Sequence, residues 1–305
     1  MDHTANRSGA VIVVGSANED LVLSVPSFPG EGSTMLAGPV EVGSGGKGAN
    51  QAVAAARSGA KVSFVGVVGS EPRGERVLQN LRSEGVDVTR TQSVDASSTG
   101  LAVVLVTGNG ANSIVVSPGA NADLTRCIVE AGLDDVLPDD IVVVQCEIPT
   151  EAVESAIAAA ARQGARSVLN LAPFVNLSSS TLEAVSTLVV NEGEALQLLG
   201  GAAPDGQTLA AAIATRFRCP TIVTLGSRGS VYADPDGVQL VVPAREVSSV
   251  VDTTGAGDVY VGVLAARMAA GWDTASAMVT ATDAAAAAVT GRGAQAFVER
   301  PLHTA

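Results

Sequence analysis

The stretch Asp252-Thr253-Thr254-Gly255-Ala256-Gly257-Asp258 runs directly into Val259-Tyr260-Val261-Gly262-Val263-Leu264. It reads as a turn of small residues that opens an apolar helix, with one carboxylate in the first turn. Backbone N–H groups of Gly255, Ala256 and Gly257 would point outward at the positive end of the helix dipole, an arrangement that binds anions and above all phosphate. Asp258 stands beside that anion site, where a bound phosphate would repel it. A carboxylate kept there suggests a proton or a metal to handle. The plainer reading is a first-turn acid that stabilises its helix by about 0.3–1 kcal/mol.

Outward from this turn, short β-branched runs alternate with helical segments. Strands are expected at Val11–Gly15, Val62–Val67, Ile141–Gln145, Ser167–Leu171, Leu188–Val190 and Thr221–Leu225. They are almost continuously apolar, as strands covered on both faces are. Helices are expected at Ala49–Ser58, Glu75–Glu84, Glu151–Gln163, Ala195–Leu199, Leu209–Phe217, Gly257–Ala270 and Thr274–Val289. Gly59, Gly85, Gly164 and Gly271 fall where helix C-terminal caps belong. The alternation predicts an α/β fold: a doubly wound, mostly parallel central sheet flanked by helices, with ligands beyond the carboxyl ends of the strands. Two regions, at about 20–42 and 97–117, break the rhythm. There Leu21–Val25 and Leu101–Val106 read as antiparallel strands. They form either a small β-sheet lid, which can also serve dimerisation, or edges of the main sheet.

Composition narrows the function. The chain has 305 residues, 47% of them apolar and 16% charged, enough for a sizeable core and too apolar for disorder. A net charge of −13 argues against nucleic acid and anionic membrane as partners. Backbone amides still bind phosphate, because they carry no formal charge. No apolar run reaches the roughly 18 residues of a membrane span, and the first ten residues lack the apolar stretch of a signal peptide. Cys127, Cys146 and Cys219 are odd in number and form no CxxC, so a reducing, cytoplasmic setting is expected. His3 and His303 are the only histidines and both fall in expected tails. Acid–base chemistry must then come from carboxylates, Lys or Tyr.

A second informative segment is Gly43-Ser44-Gly45-Gly46-Lys47-Gly48-Ala49-Asn50-Gln51-Ala52. It is neither a Walker A loop nor a GxGxxG after the first strand. Its glycines let backbone approach a ligand closely, and Lys47 and Asn50, one turn apart, can both face a polyhydroxyl ligand.

With both segments in view, the chain resembles the ribokinase branch of the PfkB family of carbohydrate kinases, from about Val11 to Phe297. Asn18-Glu19-Asp20 is similar to the family's N-x-D substrate motif, and GSGGKGANQA and DTTGAGD match its two signatures in order. Gln145–Pro149, Asn191–Glu194, Thr224–Gly229 and Gly291–Gln295 fall in the expected places around them. The resemblance implies one ribokinase-like domain over residues 10–300, with the lid strands inserted, that transfers phosphate from ATP to the 5-hydroxyl of D-ribose. The alternatives are deoxyribose, fructose or a nucleoside such as adenosine as acceptor, or a sugar-binding relative without turnover. Only Phe28 is available in the first lid segment to grip a base. Intact Asp258, Gly255–Gly257, Asn191 and Glu194 speak against a pure binder.

Roles follow from the same resemblance. Asn18, Asp20, Gly45, Gly46, Lys47, Asn50 and Glu147 would hold the sugar. Asp258 would accept the proton of the attacking hydroxyl, while Gly255, Ala256 and Gly257 stabilise charge on the phosphoryl group. Loose phosphoryl transfer demands positioning and charge neutralisation more than strong basicity. Asn191, Thr224, Leu225, Gly226, Ser227, Arg228, Gly229, Gly257, Asp258 and Thr282 would surround ATP. Glu194 would place Mg²⁺ through water, although Asn191 and Glu194 alone read as a capping box. Asp252, Thr254 and the carbonyls of Ala288, Gly291 and Gly293 would ring K⁺. Phe297 stands where that ring commonly has a small hydroxyl residue, and Tyr260, after the base, reads as packing. Apolar lid strands favour a homodimer formed through them.

Overall fold

Val11–Val14 is apolar and fully buried, and it pairs in parallel with Ile141–Gln145 on one side and Val62–Val65 on the other. Nothing but apolar side chains suits a strand that helices cover on both faces. Around it the computed structural model, which describes residues 8–108, 111–201 and 205–296, builds a nine-stranded sheet. Arg166–Asn170, Thr187–Asn191 and Thr221–Thr224 extend it in parallel on one side, and Val86–Asp87 ends it on the other. Ser230–Ala233 and Gln239–Val242 add two antiparallel strands that the sequence pattern did not reveal. The inner one opens on Ser230 and the outer one is partly exposed, so neither has the unbroken buried apolar run of Val11–Val14. The expected Val62–Val67 strand breaks at Gly66, because Val67–Gly69 pairs instead with Gln92–Val94 in a separate ribbon.

Helices Lys47–Arg57, Ala256–Ala269 and Thr274–Ala288 cover one face, and Arg126–Gly132, Thr150–Arg162 and Gly206–Phe217 cover the other. Gly59, Gly85, Gly164 and Gly271 all adopt the left-handed conformation at the helix ends predicted for them. No helix among the described residues is long and apolar enough to cross a membrane.

Asn18–Val25, Val40–Gly45, Gly100–Thr107 and Asn112–Ser117 form a separate four-stranded sheet and are not edges of the main one. One expectation is corrected here. The two strands read from the sequence pair with each other in parallel, Leu21 opposite Val103, and their antiparallel partners are the two outer strands. The chain crosses the main domain between them, and such a crossover is what parallel pairing requires. Alternation puts Leu21, Leu23, Val40, Val42, Val103, Leu105 and Val115 on one face of this sheet. Val40, Val42 and Val115 there are 51%, 60% and 67% exposed.

Candidate active site

Two helix starts meet at the carboxyl edge of the sheet. Gly255 caps helix Ala256–Ala269 at φ 76°, and a Cβ on it would lie 2.3 Å from the Ala294 carbonyl oxygen, so glycine is required twice over. Gly46 caps helix Lys47–Arg57 at φ 87°. The two helices touch backbone to backbone: a Cβ on Gly262 would sit 2.4 Å from the Gln51 carbonyl oxygen. One turn before that contact, Asp258 meets the first turn of the other helix. Asn50 donates to its Oδ2 at 3.0 Å, and Gln51 donates to its Oδ1 at 2.9 Å. Gln51 was missed from the sequence. Its signal was its place beside Asn50, since two adjacent residues of a helix turn can embrace one carboxylate.

Of the three amides expected at the helix tip, Gly255 and Gly257 keep their N–H groups without a hydrogen bond among the described residues. Ala256 N–H leans to the Thr253 carbonyl at 3.3 Å. An anion bound at this tip would therefore rest on the two glycines.

Charge is concentrated around this point. Asp258 is only 6% exposed, and burial raises its pKa against the pull of Lys47, Asn50 and Gln51. Burial lowers the Lys47 pKa, but the carboxylates of Asp258, Glu147 and Glu194 outweigh it, so the ammonium is held above its ordinary value. Burial, reinforced by Glu147 and Asp258, pushes Asp20 up to about 7, and its Oδ1 has no hydrogen-bond partner among the described residues. Gly45 lies against that carboxylate, where a Cβ would come within 2.1 Å of Oδ2. Glu147 accepts from Ser16 Oγ at 2.6 Å and from the Lys47 N–H at 3.0 Å. Asn18 is buried and its Oδ1 accepts from Asn121 at 2.7 Å, which leaves its own NH₂ for a ligand. Cys146, beside Glu147, is pushed up to about 12 by burial and by Glu194, so it is a neutral packing group.

Lys47, Asp258, Gly255, Gly257, Asn191 and Glu194 line a cavity of about 240 Å³. At Thr224, Thr253 and Gly257 it shares its wall with a larger cleft of about 600 Å³. Thr224, Gly226, Ser227, Gly229 and Thr282 line that cleft; Leu225 and Arg228 do not. The Leu225 side chain packs against Gly206, and the Arg228 guanidinium pairs with Glu192. Tyr260 is buried and donates to Ser230 Oγ at 3.0 Å, in keeping with the packing role read for it. Asn191 and Glu194 do form a capping box, each side chain accepting from the other's N–H at 2.8 Å. Asp252 accepts from the Thr254 and Gly293 N–H groups, both at 2.9 Å. These bonds hold its pKa low although partial burial acts to raise it. Ala288 ends the last helix and Gly291 and Gly293 lie on the segment that follows it, with Gly293 in a left-handed conformation. Phe297, His3 and His303 lie outside the described residues.

Comparison with known proteins bears on the fold and the family. The chain is 35% identical over 300 residues to a ribokinase of Schizosaccharomyces pombe, with 94% of each chain covered. It is 34% identical to a deoxyribokinase of Salmonella typhi, covering 93% of this chain and 94% of that one. The solved structure of Arabidopsis thaliana ribokinase complexed with ribose and ATP superposes with a TM-score of 0.85 at 28% identity, over 95% of this chain and 96% of the other. A family model described as pfkB family carbohydrate kinase matches residues 9–301, and the chain belongs to that family.

Proposed function

We propose that this carbohydrate kinase transfers the terminal phosphoryl group of ATP to the 5-hydroxyl of D-ribose. One observation carries the reading: a buried carboxylate, Asp258, opens into a small cavity that joins a nucleotide-sized cleft at a helix tip with two free glycine amides. Asn18, Asp20, Lys47, Asn50, Glu147 and the Gly45–Gly46 backbone orient the sugar. Paired donors and acceptors of this kind discriminate among hydroxyl patterns. Asp258 takes the hydroxyl proton as the oxygen attacks, while Asn50 and Gln51 fix the carboxylate. Gly255 and Gly257, with Ala256 between them, meet the charge on the transferring group. ATP occupies the larger cleft, against Thr224, Gly226, Ser227, Gly229 and Thr282.

The donor sets suit both expected cations. Glu194 spends Oε2 on its cap and also lines the cavity, which fits a carboxylate that meets Mg²⁺ through water. Asp252, held ionised, and the carbonyls of Ala288, Gly291 and Gly293 offer the hard oxygens that K⁺ takes, with Thr254 beside them and Phe297 the unmatched position. When bound, the two ions neutralise phosphate charge and steady the loop behind the helix tip. The small sheet acts as a lid on a single domain of residues 10–300, at about 20–42 and 97–117. Its exposed apolar face joins a second copy as a homodimer, since contiguous apolar surface of this kind marks an interface. Three free cysteines are consistent with a cytoplasmic setting.

An ADP-release assay over pentoses, hexoses and nucleosides tests the substrate. Ribose should give the highest kcat/KM. The deoxyribokinase relative makes deoxyribose the second reading, and a higher kcat/KM for it, or for adenosine, would replace ribose.

A further inference from the structure

We propose that Gln295 is a positioning residue whose side-chain amide sets the orientation of Asn50, and so the donor that Asn50 offers to Asp258. The proposal rests on the reading of Asp258 as the base. Three amides form a directed chain behind that carboxylate. Asn80 Nδ2 donates to Gln295 Oε1 at 3.0 Å, Gln295 Nε2 donates to Asn50 Oδ1 at 3.1 Å, and Asn50 Nδ2 donates to Asp258 Oδ2 at 3.0 Å.

Direction in this chain is dictated by its end. An ionised carboxylate only accepts, so Asn50 must turn its NH₂ toward Asp258 and its oxygen away. That oxygen then needs a donor, which Gln295 supplies, and Gln295 in turn needs one from Asn80. Were Asn50 turned over, its oxygen would face a carboxylate oxygen in a site with little water.

Gln295 is itself held. Arg57 donates to its backbone carbonyl at 2.5 Å while its other edge pairs with Glu84. The same short segment touches two other parts of the site: the Ala294 carbonyl lies against Gly255, and the Gly293 N–H reaches Asp252. The segment that seats the helix tip therefore also orients the base, although Gln295 lines neither of the two cavities.

Gln295→Glu tests donation against packing. It conserves size and still accepts from Asn80, but it offers no donor and instead calls for one from Asn50, which turns the Asn50 amide over. Gln295→Met keeps the bulk without either polar end. Loss of a hydrogen bond that supports a charged group predicts a kcat about 10–100-fold lower in both variants, with KM for ATP within about twofold and a melting temperature only a few degrees lower. In an Asp258→Asn background, Gln295→Glu should change the residual rate by less than about twofold, because residues acting as one unit are not additive. Wild-type kcat in both single variants, beside an inactive Asp258→Asn, would overturn the positioning role and leave the base in place. Full turnover by Asp258→Asn would instead remove the reading beneath it.

Discussion

Ribose binding should tighten with pH through neutrality, and Asp20 is the reason. Burial, with Glu147 and Asp258 nearby, raises this carboxyl from 3.8 to about 7. Sugar hydroxyls donate to the ionised form, so the apparent Kd scales as one plus the ratio of protonated to ionised Asp20. With a pKa of about 7 that factor is about 11 at pH 6 and about 1.1 at pH 8, a roughly tenfold gain in affinity. Near pH 7 about half a proton leaves for each sugar bound. The assay is calorimetric titration of ribose without nucleotide, so that phosphate does not titrate, in two buffers of different ionisation enthalpy. Asp20→Asn should bind more weakly, with no pH dependence and no buffer dependence. Stability of the sugar-free protein runs the other way. A folded pKa above the unfolded value favours the folded state most below pH 3.8, and this is lost as pH rises to about 7. Equal Kd at pH 6 and pH 8 with a buffer-independent enthalpy, or the same profile in Asp20→Asn, would refute the reasoning.

Asp258→Asn should lower kcat by about 10²–10⁴-fold while ribose still binds in the calorimeter, and near-wild-type turnover would overturn the base assignment. Its melting temperature should move little. One of the two amide donors loses its acceptor, at about 1–3 kcal/mol, but a buried charge is also removed. Gly255→Ala places a Cβ 2.3 Å from the Ala294 carbonyl oxygen at φ 76°, so stability should fall by more than about 1 kcal/mol and kcat should fall with it. Thermal melts and steady-state rates check this, and an unchanged kcat would show that the helix tip takes no part. Replacing K⁺ by Na⁺ in the assay buffer should slow turnover; indifference would dissociate Asp252 and its loop from catalysis.

Much of this was legible in the sequence because it depends on local signals. Central strands announce themselves by unbroken Val and Ile, and both helix tips by glycines that precede Ala-rich segments. Pairing is not local. Leu21–Val25 and Leu101–Val106 have the same alternation whether they run parallel or antiparallel, and only the route of the chain between them decides. Within the site, residues that would touch ligand were visible by type. Those that touch them were not, since Gln51, Asn121 and Gln295 are ordinary amides until the fold brings each to a buried partner. Asn191 and Glu194 show the converse: their spacing fits a capping box and a cation site alike, and the structure forms the first while both residues also line the cavity.

The separate sheet does not leave the site free to drift. Glu19, between Asn18 and Asp20, is buried and paired with Arg73 at 3.0 Å and Arg76 at 2.6 Å, both on the main domain. The neighbouring strand is tied in the same place. Thr99 N–H donates to Glu71 at 2.7 Å, and the Gly69 N–H donates to Thr99 Oγ1 at 3.0 Å. Asn18 adds its bond from Asn121. Both strands that enter the small sheet are thus fixed at their roots to one short stretch, Gly69 to Arg76, before they leave the main domain. A charge as buried as that of Glu19 is tolerable only while its partners stay in place, so separating these roots is costly. Any opening of the sheet must then bend beyond Asp20. Asn18 and Asp20 would then keep their distance from Asp258 whichever way the sheet moved, and on the proposed reading sugar recognition and proton removal would share one frame.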